Sequence, residues 1–130
     1  MANELTGKQA DVVTAITGNS LGDILKPLTR EIHLFDSFIA GTTHLDDPAP
    51  LAGVAVGDAL TLRREDNAHD RHAILVLDVA GRKLGYVPAR DNLVFSRLMD
   101  AGKLLCAKVT EIQQKRAFKR ISVGIFLVDF

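Results

Sequence analysis

Arg63-Arg64-Glu65-Asp66-Asn67-Ala68-His69-Asp70-Arg71-His72-Ala73-Ile74-Leu75-Val76 is the stretch on which the fold turns, and Leu84-Gly85-Tyr86-Val87-Pro88 follows it closely. An alternating segment ends in two arginines, a polar loop intervenes, and the chain re-enters as an apolar run. Ala73 to Val79 reads as a largely apolar strand, Ala80-Gly81-Arg82 as a hairpin turn and Lys83 to Val87 as the returning strand, ended by Pro88. Upstream, Gly57-Asp58 is a turn, and Ala59 to Arg64 alternates with Leu60 and Leu62 facing inward. Farther upstream, Ile32, Leu34, Phe38 and Ala40 alternate with Glu31, His33, Phe35 and Ser37. That spacing predicts a strand whose buried face carries the first set. Gly41 closes it, and residues 42–50, with two prolines and paired aspartates, are loop by composition.

Downstream lies one clear helix. Asp91 or Asn92 suits its start, Gly102 its end, and Leu93, Phe95, Leu98 and Met99 the face laid on a sheet. Two strands follow, Leu104 to Ile112 and Arg120 to Val128, the latter alternating through Ile121, Val123, Ile125 and Leu127. About six short strands with one or two helices predict a mainly β fold, a small antiparallel barrel with a helical plug. Residues 1–30 read as a partly ordered N-terminal arm, in which Ser20 opens a helical turn that Pro27 cuts short. Residues 31–130 read as the barrel domain.

The 130 residues are 47% hydrophobic and 25% charged, the mix of one ordinary globular domain rather than a disordered chain. No apolar run approaches the roughly 18 residues of a spanning helix. The first residues lack the basic-then-apolar order of a secretory leader, so a cytoplasmic location is expected. The single Cys106 permits no internal disulfide and no all-cysteine metal site. Nucleophile-elbow, Walker and His-Glu-x-x-His motifs are missing, and His69 and Asp70, as neighbours on an extended chain, point to opposite sides. No enzyme, metal or cofactor is expected. Net charge is zero but unevenly spread: residues 31–80 hold three basic and nine acidic groups, residues 81–120 ten basic and three acidic. Either the two halves are solvated faces that pair across the fold, or the second presents a positive face to an anionic partner.

The motifs decide between these. The chain resembles the HIRAN domain family through Gly57, Asp58, Leu60 and Leu62, then Arg64, Glu65, Asn67, Asp70, Ala73 and Ile74. Gly85-Tyr86-Val87-Pro88 and Ala101-Gly102-Lys103 complete the pattern, which spans roughly residues 32–128 and is closest to short stand-alone bacterial members. The resemblance implies an OB-like six-stranded antiparallel barrel that binds single-stranded DNA, in the best-known members at a free 3′ end. It also implies repair or helicase proteins as partners, no membrane and no catalysis. In those members aromatic rings sandwich the last bases, an aspartate accepts from the 3′-hydroxyl and basic groups hold phosphates. Carried over, Asp70 is the hydroxyl-reading aspartate and Asn67 the loop asparagine, with Arg71 the basic residue after the aspartate. His69 and His44 stand where tyrosines are usual, Tyr86 holds the Gly-Tyr/His position and Phe118 matches a late aromatic. Ala89 occupies the phosphate-binding lysine position, and Arg90 next to it is the substitute. Asn67 and Asp70 also fit a second reading, in which their side chains simply close turns on their own backbone. A protein-interaction module using the same groove is the rival function.

Overall fold

A computed structural model describes residues 30–129, so the predicted arm, apart from Arg30 at the start of the first strand, lies outside the described residues. Six strands form one antiparallel sheet: β1 (Arg30–Phe38), β2 (Ala59–Arg64), β3 (Ile74–Leu77), β4 (Lys83–Tyr86), β5 (Leu104–Gln114) and β6 (Lys119–Asp129), in the order β1-β6-β5-β2-β3-β4. A 3-10 turn (Thr42–His44) and a one-turn helix α1 (Ala49–Ala52) occupy the predicted loop, and α2 (Asn92–Asp100) is the predicted helix. The mainly β class therefore holds. Glu31–Asp129 form one compact unit.

Alternation builds the core. Leu60 and Leu62 from β2, Ile74 and Val76 from β3, and Ile121, Val123 and Ile125 from β6 are buried together with Leu84, Phe95 and Leu105. Helix α2 contributes Phe95, with Leu98 and Met99 packed partly buried against the core, whereas Leu93, expected on that face, is 44% exposed. Its end is a Schellman motif around Gly102 (φ 91°): Gly102 N–H donates to Met99 O (2.9 Å) and Lys103 N–H to Leu98 O (3.0 Å). Asp91 sits at its N-cap without a side-chain cap bond. The carboxylate instead accepts from the Ser37 hydroxyl at 2.9 Å, fastening the helix start to β1.

Two predicted features are corrected. The predicted buried face of β1 is not buried: Ile32, Leu34 and, on the opposite face, Phe35 all remain over a third exposed, and burial begins only at its end, with Ser37 and, just beyond the strand, Ile39. Two rings of the predicted solvent face nevertheless make ring contacts, Phe35 5.7 Å from Phe95 and His33 5.3 Å from Phe126. Apolar residues occupy both parities of this edge strand, so alternation alone could not choose. Second, the barrel is not a continuous cylinder. Ile39 N–H donates to Ile121 O (2.9 Å), and one residue later Ala40 exchanges both backbone bonds with Tyr86 (2.8 and 2.9 Å) on the opposite edge strand. The seam is this single bridge rather than a ladder. Gly85 makes it possible, because a Cβ there would lie 2.3 Å from Ala40 O and 2.6 Å from Ile39 Cγ2.

Candidate functional site

The polar loop after β2 is held at both ends by one arginine. Arg64 Nη1 donates to Ala73 O (2.6 Å), Nη2 to Arg71 O (2.8 Å), and Nε to Asp100 Oδ1 on α2 (2.9 Å). Inside the loop, Asn67 Oδ1 accepts from His69 N–H (2.8 Å) and Asp70 Oδ1 from His72 N–H (2.9 Å). These are two successive Asx turns, so both side chains shape the backbone that carries them. His72 leans the other way, with Nδ1 3.2 Å from the fully buried Ser96 hydroxyl. That hydroxyl donates to Leu93 O (2.9 Å), so the imidazole supplies the proton of the first bond.

The second oxygen of Asp70 accepts from Asn92 Nδ2 at 2.8 Å, and Asn92 is buried at the start of α2. The His72 amide and then the Asn92 amide hold the Asp70 carboxyl below its usual range, so it is ionised at neutral pH. Each oxygen keeps a further lone pair for an outside donor. Glu65 is the loop's second anchor. Its Oε1 accepts from the Tyr86 hydroxyl (2.7 Å) and from Asn67 Nδ2 (3.0 Å), and these two donors, Tyr86 first, lower its carboxyl pKa. The Tyr86 hydroxyl accepts in turn from Lys83 Nζ (3.0 Å), whose ammonium lies 4.5 Å from the ring centre. Lys83 and Tyr86 share a face because the β3–β4 register slips, pairing Leu77 with Lys83 but Val76 with Gly85, so that Leu84 is an extra residue.

At the seam, Phe38 lies under two guanidinium groups, Arg120 at 4.3 Å and Arg90 at 5.1 Å from the ring centre. Among the sequence-chosen residues, Asn67 and Tyr86 are thus linked through Glu65, while Asp70 is tied to Asn92 and Arg90 to Phe38 and Asp91. Asn67 and Arg71 line a cleft with Arg64, Glu65 and Asp66. His44, ending the 3-10 turn, lines another with Asp46, Asp47, Arg82 and Lys83, which places it beside the Lys83 end of the group. His69 is exposed on the loop. Phe118, 42% exposed, stands at the β5–β6 hairpin tip, its carbonyl bonded to Lys115 N–H (2.7 Å), and no described side-chain contact joins it to the rest. Sequence reasoning did not single out Lys83, Asn92 or the placement of Phe38. The register slip hides the first, and contacts between distant parts of the chain the second and third. Among the described residues no three His, Cys, Asp or Glu side chains gather to hold a metal.

The HIRAN domain pattern matches residues 32–128. The chain belongs to the HIRAN domain family. That family is known for DNA binding. A protein from Lactobacillus plantarum of known crystal structure is similar to this HIRAN chain at 29% identity and a TM-score of 0.72, covering 78% of this chain and 99% of the other. The HIRAN domain of human HLTF has the same fold at 16% identity and a TM-score of 0.63, covering 78% and 79%. No curated protein is significantly similar in sequence. Among the described residues, no helix is long and apolar enough to cross a membrane.

Proposed function

We propose that this HIRAN domain binds single-stranded DNA at free 3′ ends, without catalysis, in repair or replication-linked processes of the cytoplasm alongside repair or helicase proteins. Asp70 accepts a hydrogen bond from the terminal hydroxyl, and Asn67 fixes the loop that presents it. Tyr86, His69, His44 and Phe118 offer rings to the bases, while Arg71 and Arg90 face phosphates. Stacking on such rings contributes about 1–3 kcal/mol per base and reads no sequence.

The observation that supports this reading most is the fixed, ionised Asp70, held by the His72 amide and by Asn92. A carboxylate repels phosphates, so it costs a binder of plain backbone affinity. It helps one that meets a hydroxyl, through a charge-assisted bond of about 1.5–3 kcal/mol. Fluorescence anisotropy with single-stranded oligonucleotides ending in 3′-hydroxyl or 3′-phosphate tests it: tighter binding of the hydroxyl end is expected, and absence of binding to either would sink the proposal.

One observation favours the rival, protein-binding reading. A cleft of about 440 Å³ between β1 and α2 is lined by Leu34, Phe35, Val94, Phe95 and Leu98, with Val94 61% exposed. If that cleft were the working surface, Val94→Asp would abolish capture of the partner and leave oligonucleotide binding intact.

A further inference from the structure

Lys83, Tyr86, Glu65 and Asn67 form one hydrogen-bonded line from β4 to the loop that carries Asp70. Lys83 Nζ donates to Tyr86 Oη (3.0 Å), Tyr86 Oη to Glu65 Oε1 (2.7 Å), and Asn67 Nδ2 to the same Glu65 oxygen (3.0 Å). Asn67 Oδ1 then accepts from the backbone N–H of His69 (2.8 Å), the residue before Asp70. The chemistry of the groups fixes every direction in this line. An ammonium only donates and an ionised carboxylate only accepts, so the tyrosine proton points at Glu65. With its Nδ2 on that carboxylate, Asn67 turns its carbonyl oxygen to the His69 amide. No member can turn round without losing a bond.

The line joins two parts of the proposed site that have different tasks, a ring offered to a base and a loop that presents a carboxylate to a hydroxyl. The His72 amide and Asn92 hold Asp70 itself, which leaves the approach to it, through His69, to Asn67. Once released from Glu65, the Asn67 side chain is free to rotate, and the turn it closes just before Asp70 loosens. A hydrogen bond to a ligand weakens steeply as its angle departs from linear, so a loosened turn costs the bond from Asp70 more than it costs stacking. We infer that Glu65 and the Tyr86 hydroxyl are positioning residues for end specificity: through Asn67 they set the turn that aims Asp70 at the strand end, and Lys83 holds the hydroxyl in place. This deepens the proposed 3′-end reading and rests on it.

Tyr86→Phe separates the two tasks, because it keeps the ring and removes only the hydroxyl. Fluorescence anisotropy gives the ratio of affinities for oligonucleotides ending in 3′-hydroxyl and 3′-phosphate. That ratio should fall by about three- to tenfold in Tyr86→Phe, the contribution of one hydrogen bond, while affinity for the 3′-phosphate end stays near the parent's. In Glu65→Ala the line is already cut, so adding Tyr86→Phe should lower the ratio no further. The amide resonance of His69 reads the line without any DNA, and it should move in both single variants. A parental ratio in Tyr86→Phe overturns the inference while the 3′-end reading stands. So does an undiminished effect of Tyr86→Phe in the Glu65→Ala background, which would mean that the hydroxyl meets the strand directly, and so does an unmoved His69 resonance. A parent chain that binds no oligonucleotide, or binds both ends equally, overturns the 3′-end reading and this inference with it. Neither substitution removes a core side chain, which keeps the test independent of folding.

Discussion

Asp70 spends one carboxylate oxygen on the His72 amide and the other on Asn92, so its loop and the start of α2 depend on its charge. Its carboxyl is held below the ordinary value of 3.8, and that of Glu65 below 4.5, each chiefly by hydrogen bonds to the ionised form. A carboxyl with a depressed folded-state pKa stabilises the fold above its unfolded pKa, and that contribution is lost as pH falls through the folded value. Stability of the parent should therefore hold from neutral pH down to about pH 4 and then decline, as urea unfolding across that range would record. Asp70→Asn should cost about 1–3 kcal/mol at neutral pH and flatten part of the acid decline, since an amide must replace one acceptor by a donor facing the Asn92 donor. Constant stability in that variant would mean the two bonds are energetically idle. The turn-forming role of Asn67 and Asp70 was legible in the sequence because Asx turns are local. Asn92 was not, because the chain separation of 22 residues is bridged only by tertiary packing.

Among the elements, β2 and the first half of β6 followed their alternation, since each has one face on the core. The first strand did not. With apolar residues on both parities, what fixed its orientation was Ile39 entering the core next to Ile121 and Ser37 reaching Asp91, neither of which a periodicity reveals. Strand β4 hides a register slip, and that slip is why Lys83 and Tyr86 act together. Its glycine is a requirement of packing: Gly85→Ala places a methyl against the Ala40 carbonyl, which backbone must move to relieve. We expect a loss of about 3 kcal/mol, at the upper end of overpacking effects, with faster amide exchange at Ala40 and Tyr86 as the seam opens. Unchanged protection at those two amides would show that the seam tolerates the methyl and that its closure depends on other contacts.

For the molecule as a whole, fold and binding are carried by different residues. Ile74 is fully buried, and Ile74→Ala should lower stability by about 2–5 kcal/mol. Arg90→Gln, at an exposed position, should stay within about 0.5 kcal/mol of the parent in urea unfolding and bind single-stranded DNA more weakly. Equal destabilisation by the two would make Arg90 a structural residue. The uneven charge along the chain also gains a spatial meaning: Lys83, Arg90 and Arg120, all from the basic stretch 81–120, gather around Tyr86 and Phe38. The sequence disclosed the surplus and the family pattern. Only the curled sheet, which joins its first and last strands through Ala40 and Tyr86, brings those cations to one seam. Because the central claim concerns the strand end, its most direct test is a ratio that partial unfolding cannot mimic. That ratio compares affinity for a 3′-hydroxyl oligonucleotide with affinity for its 3′-phosphate counterpart, in the parent and in Asp70→Asn. The account predicts a ratio well above one in the parent that falls to about one in the variant. A variant that keeps the parent's ratio would contradict it and leave Asp70 as a turn-forming residue alone.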